Sequence, residues 1–154
     1  MAQLQAEIDV VIIGGGQAAL ATAYFLKRKK IPFIILDDQS QAGGAWSHAW
    51  ESLRLFSPNT WSSLSGWMMP TTEQTYPTRN EVIDYLSAYE QRYQFPIIRT
   101  VHVDHIEQKD GYLDVYAGDQ YWRAKAVVSA TGTWSQPYIP HYEGHERFEG
   151  LCYS

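Results

Sequence analysis

The feature that most constrains this chain is a glycine turn set between a buried strand and a helix. Ile8-Asp9-Val10-Val11-Ile12-Ile13 runs directly into Gly14-Gly15-Gly16-Gln17-Ala18-Ala19. The first run is apolar and β-branched, as a parallel strand covered on both faces requires. Gln17 to Lys30 then reads as a helix. Ala18, Ala19, Ala21, Ala23 and Leu26 keep one side small, and Lys27 to Lys30 put positive charge at its C-terminal end. Pro32 breaks the helical pattern, and Phe33-Ile34-Ile35-Leu36 restarts a buried strand. Strand, tight turn, helix and second strand leave few topologies open, because crossovers between parallel strands are right-handed.

Each position of the G-x-G-x-x-A pattern has a physical role. Gly14 can turn the chain out of the strand, a bare Gly16 lets the backbone approach a pyrophosphate, and a small Ala19 lets the helix lie close on the sheet. The N–H groups of Gly15, Gly16, Gln17 and Ala18 open the helix toward an anion. The second strand stops at Asp37, about 20 residues past the turn, where a carboxylate can accept hydrogen bonds from an adenosine ribose. An acid rather than an arginine at this point favours an unphosphorylated ribose, hence FAD or NAD over NADP. The competing explanation is an ordinary βαβ unit with a glycine turn and a surface aspartate. The register of strand, turn, helix, strand and acid argues against it.

The 154 residues suit one domain with a sizeable core. Acidic residues outnumber basic ones 17 to 12 and the charge is spread out, so no nucleic-acid or membrane-surface partner is expected. No long apolar run or signal-peptide pattern is present, which makes the cytoplasm the default location. Cys152 is the single cysteine, so it has no internal disulfide partner, and it reads as an incidental thiol. His141-x-x-x-His145, with Glu143 and Glu146, has metal-ligand spacing only on a helix, and Pro140 and Gly144 argue for a loop. His102 and His105 fall on opposite faces of an expected strand, so no metal is expected there either. The six tryptophans and eleven tyrosines are assigned mostly to core and rim.

Residues 38–78 show little periodicity and are rich in Ser, Gly, Pro and Trp; irregular segments of this length are usually functional. Thr78-Arg79-Asn80-Glu81 then forms a capping box. The helix it starts should reach about Tyr93, with Val82, Ile83, Leu86, Tyr89 and Tyr93 on one face, and end before Pro96. Strands are predicted over 97–107, 112–117 and 120–125, with hairpin turns at Asp110-Gly111 and Gly118-Asp119. Ala126 to Ala130 reads as a separate buried parallel strand that stops at Thr131-Gly132, followed by a tail without regular structure.

This order is similar to the FAD domain of the two-dinucleotide-binding flavoproteins. The fingerprint, Ala42-Gly43-Gly44-Ala45-Trp46, Ala130-Thr131-Gly132 and Phe148-Glu149-Gly150 carry the resemblance. The G-G-x-W resembles flavin-containing and Baeyer–Villiger monooxygenases rather than disulfide reductases. Ser52 to Pro58, followed by Tyr76-Pro77-Thr78-Arg79, resembles a bacterial branch often associated with arsenic-resistance operons. The match covers essentially the whole chain. It implies an α/β, Rossmann-like FAD-binding domain over 1–154, a parallel sheet with a βαβ unit plus an antiparallel β-meander, and a flavin-side loop over about 38–78. It further implies that Gly14, Gly15, Gly16, Gln17 and Ala18 hold the FAD pyrophosphate and Asp37 the adenosine ribose. Gly44, Ala45 and Trp46 would lie along the flavin side, Val103 in the meander would meet adenine through its backbone, and Thr131 and Gly132 would turn where the chain returns to the cofactor. Asn59 resembles a polar residue near the flavin and is equally a turn residue after Pro58.

The resemblance also calls for a second G-x-G-x-x-G, which binds NADPH, and residues 132–154 do not contain it. The motif beginning at Phe148 is cut short, with Ser154 where relatives place a histidine. The expectation is therefore the amino-terminal, FAD-holding portion of an NADPH-dependent monooxygenase. In full length it would add one oxygen from O₂ to a small organic or heteroatom substrate. The NADPH domain would be absent here, and turnover by these residues alone undetectable. No catalytic residue is named. A non-catalytic FAD-domain remnant serving binding or assembly stays open, as does an NAD-dependent dehydrogenase on the same βαβ unit. An unfinished sheet edge and exposed aromatics would suit homo-oligomers.

Overall fold

A computed structural model describes residues 2–71, 74–136, 138, 140–144, 147 and 150. Its first strand is longer than the apolar run alone predicts: β1 spans Gln3–Ile13. Val10 to Ile13 pair in parallel with β2 (Phe33–Leu36) on one side. On the other side nearly the whole of β1 pairs in parallel with Gln120–Ser129. The sequence reading divides this last stretch into a hairpin strand and a separate parallel strand, and the structure corrects it to one. The cause is double pairing: residues 120–124 bond antiparallel to Tyr112–Ala117 along one edge and parallel to the start of β1 along the other.

The expected strand over 97–107 is also corrected. It is two strands on opposite edges of the sheet: β3 (Ile97–Ile98), parallel to β2, and β4 (His105–Lys109), antiparallel to β5 (Tyr112–Ala117). With β6 (Gln120–Ser129) they make one six-stranded sheet in the order β3-β2-β1-β6-β5-β4. Meander and parallel sheet are continuous. The turn at Asp110 (φ 52°) and Gly111 (φ 83°) has the two left-handed residues of a type I′ hairpin, as the Asp-Gly pair predicts.

The first helix, α1 (Gln17–Arg28), ends two residues before the expected Lys30, which takes φ 57°. Ala19, Leu20 and Ala23 are fully buried against the sheet, each small enough for close approach except Leu20. The second, α2 (Arg79–Tyr93), begins with the predicted capping box. Thr78 N–H donates to Glu81 Oε2 (2.7 Å), and Glu81 N–H donates to Thr78 Oγ1 (3.3 Å). Its buried face is Val82, Tyr85, Leu86 and Tyr89. Ile83 is half-buried instead, and packs beneath Gly43. One core lies between the sheet and the two helices, around Val10, Ile12, Leu20, Ile35 and Tyr89; a smaller one on the other face gathers Val11, Leu36, Val115 and Trp122. Each such side chain contributes about 1.5–3 kcal/mol by leaving water.

The stretch from 38 to 78 holds two short 3₁₀ turns, Gly44–His48 and Asn59–Trp61, and is tied down from α2. Tyr85 and Tyr89, four apart, share a helix face. Tyr85 Oη donates to Trp67 O (2.7 Å) and accepts from Leu64 N–H (2.8 Å), while Tyr89 Oη donates to Ser65 O (2.6 Å). These phenols tie a partly buried, irregular backbone to the helix through hydrogen bonds. Arg79 secures the other end, with Nε donating to Trp46 O (3.0 Å) and Nη2 to Ser47 O (2.6 Å). Among the described residues no helix is long and apolar enough to cross a membrane.

Candidate functional site

The carboxyl ends of β1, β2, β3 and β6 lie along one edge of the sheet. From β1 the chain passes through α1 to β2 on one side, while β6 pairs on the other. Ligands of open α/β sheets bind in the crevice at such a switch point. Here Ile13 stands opposite Ser129, and Ala130 N–H donates to Ile13 O (2.8 Å).

Gly14 leaves β1 with φ 99° and donates its N–H to Leu36 O (2.7 Å). A Cβ on Gly14 would stand 2.5 Å from Ala130 O, so the turn and the end of β6 touch through backbone. One on Gly15 would stand 2.3 Å from Asp37 Oδ2. Gly16 differs, because a Cβ there would meet nothing nearer than Gly44 Cα at 3.9 Å. The reverse is not true: a Cβ on Gly44 (φ 52°) would come within 2.7 Å of Gly16 Cα. The two glycine motifs therefore meet backbone to backbone. Beside them the N-terminus of α1 has no side-chain cap and no acid in its first turn, and Gln17 and Ala18 are exposed. Its first N–H groups and the positive end of the helix dipole therefore have no side-chain partner, a setting that favours an anion.

Gly44, Ala45 and Trp46 form the 3₁₀ turn against this point, with Trp46 half-buried and packed on the core. Thr131 and Gly132 are exposed, and Gly132 takes φ 65°. Two residues on, Trp134 stacks on His48 (5.9 Å between ring centroids), so the end of β6 returns to the G-G-x-W turn. Val103 is half-buried in the segment crossing from β3 to β4. It belongs to neither ladder, which corrects its assignment to a meander strand. Asn59 is buried, and its amide donates to Pro70 O (3.5 Å) inside the loop. Gln17 lines a cavity of about 170 Å³ together with Leu55, Ser57, Ser63, Met69 and Tyr85. Small-molecule pockets run to roughly 300–1,000 Å³. This one can line an end of a cofactor rather than enclose it.

Asp37 follows β2 directly, at the position where the sequence reading expects the ribose acid. Its carboxylate is buried (3% exposed) beneath Gly15, not displayed on the surface. Arg99 Nη1 donates to Asp37 Oδ2, and Arg99 Nη2 donates to both carboxylate oxygens of Glu90 (2.7 and 2.6 Å). Burial pushes both carboxyls above their ordinary range, and the Arg99 charge pulls each back. Arg99 and Glu90 were not among the residues predicted for the site. Only the register of β3 on β2 in the folded sheet, which pairs Leu36 with Ile98, brings 37 and 99 side by side. Placing 97–107 in the meander hides it.

The remaining sequence candidates do not gather here. His102 Nδ1 lies 3.8 Å from Asp38 Oδ2, and His105 stacks on Tyr116. Among the described residues no three metal-ligating side chains cluster. Phe148, Glu149, Cys152, Ser154, His145 and Glu146 lie outside the described residues.

Residues 11–153 match the family model described as pyridine nucleotide-disulphide oxidoreductase. The solved flavin-containing monooxygenase of Stenotrophomonas maltophilia is 48% identical, superposes with a TM-score of 0.90, and is matched over 96% of this chain and 45% of its own. An uncharacterized oxidoreductase, CzcO-like, from Geobacillus kaustophilus is 36% identical over 139 residues, which is 90% of this chain and 40% of that protein. Indole-3-pyruvate monooxygenase YUCCA6 of Arabidopsis thaliana is 28% identical over 145 residues, 90% of this chain and 35% of its own length. The chain thus spans less than half the length of each of these relatives.

Proposed function

This chain belongs to the pyridine nucleotide-disulphide oxidoreductase family, and on that premise we propose that the carboxyl ends of its parallel strands hold FAD. The meeting of Gly16 and Gly44 carries the reading. A side chain on Gly44 would collide with Gly16 backbone, whereas one on Gly16 would point into open space beside an uncapped helix N-terminus. That space has the chemistry a pyrophosphate needs: fixed N–H donors, a positive helix end and no side chain in the way.

In this reading the N–H groups of Gly15, Gly16, Gln17 and Ala18 bind the pyrophosphate, and Asp37 accepts from the adenosine ribose. Val103, outside both ladders, offers backbone groups to adenine. Gly44, Ala45 and Trp46 run along the ribityl side, and Thr131 and Gly132 bound the approach to the ring. Leu55, Met69 and Tyr85 form an apolar wall of the neighbouring cavity, where they would keep water from the flavin end, with Asn59 in the same loop. When bound, FAD supplies redox and oxygen chemistry that no side chain here provides. Oxidation of NADPH and transfer of one oxygen from O₂ to a small organic or heteroatom substrate form the second part of the proposal. They concern a protein of the relatives' length, and this chain supplies its flavin-holding portion.

The test is addition of FAD to the purified chain, followed by gel filtration and an absorption spectrum. Retained near-ultraviolet and blue flavin bands, weakened in Asp37→Ala, support the reading. A colourless protein that takes up no added FAD refutes it for this chain.

A further inference from the structure

The trio Glu90, Arg99 and Asp37 has no place in the glycine-turn logic, yet it sits directly under the turn. Its members come from three parts of the fold: Asp37 follows β2, Arg99 follows β3, and Glu90 lies near the end of α2. Asp37 and Glu90 have side-chain exposures of 4% and 12%, and the Arg99 side chain between them 21%. Two carboxyls in such a site do not both ionise readily without a cation, since each loses hydration there. Arg99 serves both through its two terminal nitrogens. Nη2 is committed to the two Glu90 oxygens, which leaves Nη1 aimed at Asp37 Oδ2. A planar, always-charged fork can do this, and a lysine ammonium cannot hold both partners in the same geometry.

Resting on the FAD reading above, we infer that Arg99, anchored by Glu90, is a positioning residue that holds Asp37 ionised and oriented to accept from the adenosine ribose. A carboxylate offers about four lone-pair sites. Arg99 takes part of one oxygen and the Gln39 backbone N–H another of these sites, which leaves the remaining ones for ribose hydroxyls. Without the guanidinium, burial beneath Gly15 favours the protonated carboxyl, which accepts hydrogen bonds less well than the anion. The charged and titratable groups around Asp37 are Arg99 from the segment after β3, Glu90 from α2 and Asp38 beside it; His102 faces Asp38 at 3.8 Å. Asp38 acts in the same direction as burial, so Arg99 alone of these favours the anion strongly.

The experiment titrates the chain with ADP-ribose, which carries the adenosine and pyrophosphate but no flavin, and separately with riboflavin, from about pH 5.5 to 8. In the unaltered chain ADP-ribose affinity is expected to be flat with pH. In Arg99→Met it should fall at least about tenfold at the acid end, the worth of one charge-assisted hydrogen bond, and recover as pH rises. Arg99→Lys, which keeps the charge but not the fork, should restore the flat pH profile at a weaker affinity, and riboflavin affinity should be the same in all. Arg99→Met combined with Glu90→Gln removes the carboxylate that the single substitution strands, and should show the same pH dependence if the single variant does not fold. Unchanged, flat binding in the foldable variant overturns the inference. So does an equal loss of ADP-ribose and riboflavin at every pH, which is what a merely structural arginine would give. An unaltered chain that does not bind ADP-ribose overturns the FAD reading itself, and this inference with it.

Discussion

Replacing Gly16 with serine should push stability and FAD binding in opposite directions. Gly16 is the N-cap of α1, with φ −85° and ψ −170°, an extended conformation that serine readily adopts there. A Cβ at this position meets only Gly44 Cα at 3.9 Å, an ordinary contact, so the folded chain accepts it without strain. The hydroxyl would accept from the N–H of Ala18 or Ala19, a donor that no side chain now uses. A serine N-cap is worth a few tenths of a kcal/mol over glycine. Losing glycine's freedom in the unfolded chain adds about 0.4–1 kcal/mol. Together these should make the free protein about 0.5–1.5 kcal/mol more stable, a Tm rise of roughly 1–6 °C for a chain of this size. Binding should move the other way. The serine occupies the space left for the pyrophosphate and takes one of its donors, at about 1.5–3 kcal/mol per charge-assisted bond. That corresponds to roughly a tenfold to hundredfold weaker Kd. Thermal melts with and without FAD measure both effects. A Gly16→Ser chain that binds FAD as well as the unaltered one would refute the pyrophosphate assignment. One that is less stable without FAD would refute the geometry at the cap.

Gly44→Ala should destabilise the free chain, since a left-handed φ costs about 1–2 kcal/mol for a residue with a Cβ and the new atom would stand 2.7 Å from Gly16 Cα; a thermal melt reads this as a lower Tm. Tyr89→Phe removes the donor to Ser65 O and should cost about 0.5–1.5 kcal/mol, the net worth of one hydrogen bond, with faster proteolysis in the 64–69 segment as the local readout. Asp114→Asn breaks the paired bonds from Arg123 Nε (2.7 Å) and Nη2 (2.6 Å) and should lower Tm at neutral pH. Those hydrogen bonds hold the Asp114 carboxyl below its ordinary value, so its contribution is complete above about pH 4 and is lost as pH falls through the lowered value. Asp37 and Glu90, raised by burial, have the opposite sign, because their proton uptake on acidification favours the folded state. Acid unfolding should therefore be less steep below about pH 4 in Asp114→Asn, and an unchanged slope would contradict this account.

Local backbone chemistry decides much of this protein, and it can be read in order along the chain. β-branched Val10-Val11-Ile12, the glycines after them, the small face of α1 and the Thr78–Glu81 box each specify their own conformation through neighbours a few residues away. The Asp110-Gly111 turn is of the same kind. So β1, α1, β2 and α2 stand close to where the sequence puts them, and the residues expected at the fingerprint do come together with Gly44 and the end of β6. What the sequence could not reveal depends on register between distant segments. Ile97-Ile98 looks like any short apolar strand, and only its pairing with β2 sets Arg99 beside Asp37, 62 residues away in sequence. The same holds for Tyr85 and Tyr89, whose phenols find the carbonyls and N–H groups of an irregular loop some twenty residues earlier. Hydrophobic period tells which side of an element is buried, but buried polar groups choose partners by distance in space. The sequence by itself determined the turn that a dinucleotide would need. Only the packed sheet decided that the acid beside it is buried, shared and held by an arginine.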